Sequence, residues 1–157
     1  MVFSNFSLTK KNILNKMKFI PFIIFIILIS STKQGSDGQL NVYNKPLELC
    51  STNPLTGFYR DGYAKTGPND TGSHVVCAIV SQEFLDYQKS MGNDLITPHP
   101  EYNFPGLKAG NRWAVCKFRW KQSYEAGKGC TVILGATNKQ ALDTIPLATL
   151  EKFAYKN

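Results

Sequence analysis

The sequence predicts a single compact α+β domain: a small mixed or antiparallel sheet, two to four short helices, and long Gly/Pro-rich loops. Three observations carry this. An almost wholly apolar, β-branched run, His74 to Val80 (HVVCAIV), passes directly into an amphipathic segment, Ser81 to Met91. Strand-like and helix-like segments are mixed along about 120 residues, and the spacers after residue 95 are too irregular for repeated βαβ units. Before the apolar run, Pro46, Pro54, Gly57, Gly62, Gly67, Pro68 and Gly72 break the chain repeatedly, which marks a long loop.

The chain opens with a leader. Phe19 to Ile29 is an apolar run interrupted only by Pro21; Lys10, Lys11, Lys16 and Lys18 precede it, and Ser30, Ser31 and Thr32 follow. A basic region, a short apolar core and a small-residue exit describe a secretory signal peptide over residues 1–35. The run is well short of the roughly 20 apolar residues a membrane span needs, so contact with a membrane is expected only through this segment before its removal. Met17 is a second candidate start, because MKFIPFIIFIILISS is a complete signal by itself. Residues 36–39 read as a flexible leader and 40–157 as the domain. The expected destination is the secretory lumen or the exterior.

Within the domain, Leu40 to Tyr43 predicts a short first strand. The loop that follows carries Phe58, Tyr59 and Tyr63, an aromatic content that argues against disorder. His74 to Val80 predicts a strand buried on both faces. Ser81 is a good N-cap, Glu83 suits the first turn, Phe84, Leu85, Tyr87, Gln88 and Met91 follow at helical spacing, and Gly92 stops the helix. Thr97 to Leu107 is a loop pinned by prolines. Arg112 to Phe118 (RWAVCKF) alternates as a half-buried strand does. Trp120 and Tyr124 suit a short helix ending near Gly127, Thr131 to Leu134 a strand, and Ala141 to Asp143 a helical turn. Leu147 to Tyr155 predicts a terminal helix with Leu147, Leu150 and Phe153 inward.

The net charge of +7 belongs mostly to the leader. Residues 1–35 hold five lysines and no acid; the rest holds 13 Lys/Arg against 11 Asp/Glu, interspersed. Nucleic-acid binders concentrate basic charge on one face, so that class is set aside. No Gly-rich phosphate loop follows a strand, so no nucleotide cofactor is expected. Cys50, Cys77, Cys116 and Cys130 are an even set in an oxidising compartment and predict two disulfides, with three pairings open. Their spacings contain no CxxC, which gives a structural zinc little support, and no metal is predicted. Asn69-Asp70-Thr71 is an N-glycosylation sequon in a loop.

The polar residues able to do chemistry gather around the loop. Arg60 and Asp61 follow an aromatic pair and precede Gly62, and His74 stands where the strand begins. One reading has Arg60, Asp61 and His74 turned inward, tying the loop to the strand through a buried ion pair. The other has Arg60 holding an anion and His74 serving as a base or ligand. Asn93-Asp94 reads as turn chemistry. Cys77 and Cys116 read as buried thiols or one disulfide, since free cysteine behaves as a small hydrophobe. Trp113 and Trp120 read as core or rim aromatics, with a stacking platform as the functional alternative.

Several segments together resemble domain of unknown function family 2237. They include Leu47 to Gly62 (LELCSTNPLTGFYRDG), Thr66-Gly-Pro68, Gly72 to Ala78 (GSHVVCA), Gly92-Asn-Asp-Leu95, Phe104-Pro-Gly-Leu107, Arg112-Trp113 and Ala136-Thr137. The resemblance spans about residue 40 to the C-terminus. It implies a compact α+β domain and no particular activity. The chain departs from the family's pattern at four places. Tyr63 and Ala64 stand where members typically have adjacent cysteines, Ala114 where they often have another, and Asn138 where they usually have a histidine. Cys130 is this sequence's own addition, which makes Cys50–Cys130 the candidate pair. A cysteine/histidine cluster, if the family uses one, has lost half its members here.

Three functions follow as expectations. The favoured one is a small secreted, non-catalytic binding or structural domain that meets an unknown small ligand or protein through the 54–74 and 97–112 loops, with Arg60, His74 and Trp113 as binding residues. The alternative is a hydrolase-like or lyase-like enzyme with Arg60, Asp61, His74 and Asp94 around one pocket. The third is a remnant metal or redox site.

Overall fold

The computed structural model describes residues 35–156, so the expected signal segment and its alternative start at Met17 lie outside the described residues. The domain is α+β. Its sheet has three strands, β1 (Val76–Ile79), β2 (Arg112–Val115) and β3 (Thr131–Val132), in the order β2-β1-β3 and antiparallel throughout. The helices are α1 (Gln82–Ser90), α2 (Lys117–Glu125) and α3 (Leu147–Lys152), with short 3-10 turns at Pro100–Tyr102, Leu134–Ala136 and Lys139–Asp143. Among the described residues no helix is long and apolar enough to cross a membrane.

The register sorts side chains onto two faces. Val76 lies opposite Val115 and Ala78 opposite Trp113, and all four join the main core with Phe84 and Leu85 of α1, Trp120 of α2 and Leu150 of α3. Burying each of the large side chains stabilises the fold by about 1.5–3 kcal/mol. Cys77 lies opposite Ala114, and this pair belongs to a second, smaller cluster with Cys50, Ala64 and Ala136.

Helix α1 starts as its sequence requires: the Ser81 hydroxyl accepts from Phe84 N at 3.1 Å, Glu83 stands in the first turn and Lys89 in the last. Helix α2 differs from expectation. The run Arg112 to Phe118 is not one strand; the ladder stops at Val115, Lys117 N donates to Ser73 O at 3.1 Å, and Trp120 N donates to Cys116 O at 3.0 Å to open the helix. The alternation that imitates a strand ends on Cys116, and from there Trp120 and Ser123 are buried at helical spacing. Cys116 is therefore the N-cap of a nine-residue helix and not a strand-interior residue.

Other boundaries shift for local reasons. Leu40 to Tyr43 makes only isolated bridges, Leu40 to Pro46 and Asn41 to Asn138, because the Asn41 side chain accepts from Tyr43 N and Lys45 N and bends the chain back. The terminal helix stops at Lys152, where the chain turns to pair with β3: Val132 N donates to Phe153 O, and Tyr155 N to Val132 O. Cys50 is bonded to Cys77, and Cys116 and Cys130 are free thiols. The expected pairing of Cys50 with Cys130 is thus corrected. Cys77 on β1 and Cys50 share the small cluster on one side of the sheet, whereas Cys130 belongs to the main core.

Candidate functional site

The strand–helix junction at Cys116 meets the loop that leads into β1. Asp70 sits in that loop with its carboxylate wholly buried. One oxygen, Oδ2, accepts from the His74 backbone N at 2.8 Å; the other, Oδ1, accepts from His74 Nδ1 at 2.6 Å. The carboxylate therefore fixes His74 at both ends and assigns the proton to Nδ1, which leaves Nε2 to the other side of the ring. The Cys116 sulfur lies against the same Gly72 position as the ring edge that carries Cε1 and Nδ1. The Cys116 sulfur is the largest influence that raises the His74 pKa from its ordinary value to about 9; burial opposes the shift, and Asp70 adds to it. Carboxylate, imidazole and thiol are clustered, the carboxylate bonded to the ring and the partly exposed thiol near it.

Gly72 explains why the three come so close. A Cβ at residue 72 would lie 2.8 Å from His74 Cε1 and 3.0 Å from Cys116 Sγ. Ring and sulfur both press on a position that no side chain can share. Cys116 is the N-cap of α2, so the sulfur stands at the start of the helix, without a side-chain capping bond of its own.

His74 also lines a cleft of about 530 Å³. Gly57, Phe58 and Arg60 contribute from the first long loop, His99, Tyr102 and Phe104 from the second, and Trp113 forms part of the wall. The two loops that the sequence singles out therefore meet across one cavity. The first loop is anchored on the free edge of β2, where Ala114 N donates to Thr56 Oγ1 at 2.8 Å. Gly57, at φ +92°, lets the backbone pass Tyr63 O at a distance no Cβ allows. Phe58 stacks on His74 with ring centres 6.0 Å apart, and the Arg60 guanidinium lies over Trp113 at 4.9 Å.

Of the residues that the sequence nominates, Arg60, His74, Asp94 and Trp113 line the cleft. Asp61 is not among its walls. Its Oδ1 accepts from Tyr63 N and its Oδ2 pairs with Lys65 Nζ at 2.6 Å. The inward tie of Arg60, Asp61 and His74 is thereby corrected: the histidine's partner is Asp70, and Arg60 has no carboxylate partner among the described residues. Asp94 faces the cleft but is occupied as a turn residue. It accepts from Ile96 N, Thr97 N and Thr97 Oγ1 and pairs with Lys89 Nζ at 3.0 Å, which holds its carboxyl well below the usual range. Trp120 is wholly buried, with Nε1 donating to Cys130 O. Asn69 is exposed.

The departures noted in the sequence also find places. Ala64 and Ala114 are both buried beside the Cys50–Cys77 disulfide, so two absent cysteines correspond to one spot in space. Asn138 is buried on the far edge of β1, where its N donates to Val75 O at 2.9 Å. Among the described residues no group of three or more His, Cys, Asp or Glu is arranged to hold a metal ion.

Sequence reasoning missed Asp70 and undervalued Cys116. The Asp70–His74 spacing, with Gly72 between, was a usable signal. The approach of Cys116 was not, because it depends on the β1–β2 register.

A family described as an uncharacterised protein conserved in bacteria, DUF2237, matches residues 40–154. No curated protein matches the chain.

Proposed function

The chain belongs to the DUF2237 family of uncharacterised bacterial proteins, which brings no activity with it, and we propose from the site itself that the domain is a cysteine-dependent acyl hydrolase. The observation that carries this is the cluster of Cys116, His74 and Asp70: sulfur and ring both lie against Gly72, the Asp70 carboxylate holds the ring, and His74 also lines the cleft. A nucleophile, a base within its reach and a buried group that orients the base are the parts of nucleophilic acyl transfer. Cys116 Sγ attacks a carbonyl carbon and forms a thioester. The His74 imidazolium gives its proton to the leaving group. The neutral ring then takes a proton from water, whose oxygen releases the acid and restores the thiol. Asp70 stays ionised throughout and keeps Nδ1 protonated. The cleft between the two loops supplies the room for the acyl group.

The test is acyl trapping. With p-nitrophenyl acetate, the protein is expected to release a burst of p-nitrophenol and to gain an acetyl mass on the Cys116 peptide. Cys116→Ser loses the burst, and His74→Gln slows it by roughly 10²–10⁴-fold, the range of general acid–base assistance. No adduct on Cys116, or equal rates in wild type and His74→Gln, overturns the reading. A second reading, binding without chemistry, is favoured by one observation: Cys116 is not itself among the residues that line the cleft. An unacylated protein that still binds ligand is its outcome.

The basic, apolar and polar order of residues 1–35, together with the Cys50–Cys77 disulfide, supports secretion with removal of the leader. The mature N-terminus is then expected between about residues 31 and 38. Exposure of Asn69 supports glycan attachment in a host that glycosylates Asn-X-Thr, which a mass shift on deglycosylation reads out.

A further inference from the structure

We propose that the cleft binds a carboxylate-bearing ligand with an apolar body, its carboxylate on Arg60 and its body against Trp113, Phe58 and Phe104. That this ligand is the substrate of Cys116 rests on the thiol reading; the site itself does not.

Arg60 carries the inference. Its only side-chain hydrogen bond among the described residues runs from Nη1 to Gly57 O at 3.3 Å. Its neighbour Asp61 is taken by Lys65, and Asp94, the one carboxylate lining the same cleft, is taken by Lys89 and three loop donors. A guanidinium has five N–H groups in a planar fork, so most of its donors stay available to a ligand. The guanidinium lies over the Trp113 ring at 4.9 Å, and both residues line the cleft. The second positive group, His74, stands in the same wall. A single fork among aromatic walls matches a carboxylate with a hydrophobic body better than a phosphate, which calls for more donors.

The backbone supplies an independent observation. Five non-glycine residues have positive φ: Asp37, Asn44, Arg60, Ser73 and Asn103. Three are Asp or Asn, the types that tolerate this region. The two that do not are Arg60, at φ +53°, and Ser73, at φ +49°, directly before His74. Strain of this kind persists where surrounding structure imposes it and gathers at functional sites. Glycine at residue 60 would relieve it, and the chain nevertheless keeps arginine.

The experiment is calorimetric titration with 3-phenylpropionate, with 3-phenylpropanamide as the neutral control. The acid is expected to bind saturably and the amide at least tenfold more weakly. Arg60→Gly suits the left-handed backbone and should keep the melting temperature while losing at least tenfold in acid affinity. Arg60→Lys, which keeps the charge and loses the fork, should fall between. Equal binding of acid and amide, no saturable binding, or unchanged affinity in a folded Arg60→Gly overturns the proposal. Retained binding in a protein that fails to acylate leaves the cleft site standing and removes the hydrolase, so the two claims fail separately.

Discussion

Cys116 and Cys130 are the two free thiols of the described domain, and the two ends of α2 give them opposite surroundings. Cys116 caps the start of the helix, partly exposed, with its sulfur against His74 and Gly72. Cys130 follows the helix, buried in the main core, with its carbonyl accepting from Trp120 Nε1 at 3.1 Å. Burial pushes the Cys130 thiol up to about 12. Nothing in the local sequence separates them; what differs is a cationic neighbour and access. A thiol without either is a hydrophobic side chain, and a thiol with both has the setting that nucleophilic cysteines require.

The sharpest way to break this comparison is alkylation. Under native conditions iodoacetamide is expected to label Cys116 roughly a thousandfold faster than Cys130, because burial both covers the Cys130 thiol and pushes it up to about 12. Peptide mapping after timed quenching reads the ratio, and comparable rates would dissolve the distinction.

The next effect separates the two acids of the first loop. Asp70 is wholly buried against His74, so Asp70→Ala should cost about 3–5 kcal/mol, as removal of one partner of a buried pair does. Asp61 is about one-third exposed and shares Lys65 with Asp37, so Asp61→Asn should cost about 0–1 kcal/mol. Denaturant unfolding of both variants decides it, and a larger loss at Asp61 would restore the inward tie that its sequence position suggests.

A smaller effect is linked to pH. The folded His74 titrates at about 9, above its ordinary 6.5, so folding favours its protonated form. The resulting stability is fully present below about pH 6.5 and is lost as pH rises through about 9. Because the side chain is about one-third exposed, solvent screening reduces this to on the order of 1 kcal/mol. Denaturant midpoints should therefore fall across that window in the wild type by more than in His74→Gln. The smallest effect is at Arg60, where Arg60→Gly should leave stability unchanged or raise it by about 1 kcal/mol through relief of the positive φ.

Much of the fold was legible because its signals are local. The β-branched run around Cys77 marks the central strand, Ser81 and Gly92 bracket α1, and the two aromatic loops that meet at the cleft stand out by their punctuation. The site was legible only in part. Arg112 to Phe118 alternates like a strand, so Cys116 read as interior, whereas tertiary packing of Trp120 and Ser123 starts a helix at Lys117. Asp70 was hidden inside a glycosylation sequon, and its role depends on a loop conformation held by Ser73 at positive φ. The disulfide was illegible because three pairings satisfy the spacing, and only the fold brings Cys50 to Cys77.

The chain contains two histidines, His74 and His99, so a ring titration followed by NMR can be assigned without ambiguity. The coupling of His74 to Cys116 is the claim on which the site rests. In the wild type the His74 ring should titrate near 9, and in Cys116→Ser, which removes the largest cause of that shift, it should fall toward its ordinary 6.5. An unchanged His74 midpoint in the serine variant, or a wild-type midpoint near 6.5, would contradict the account.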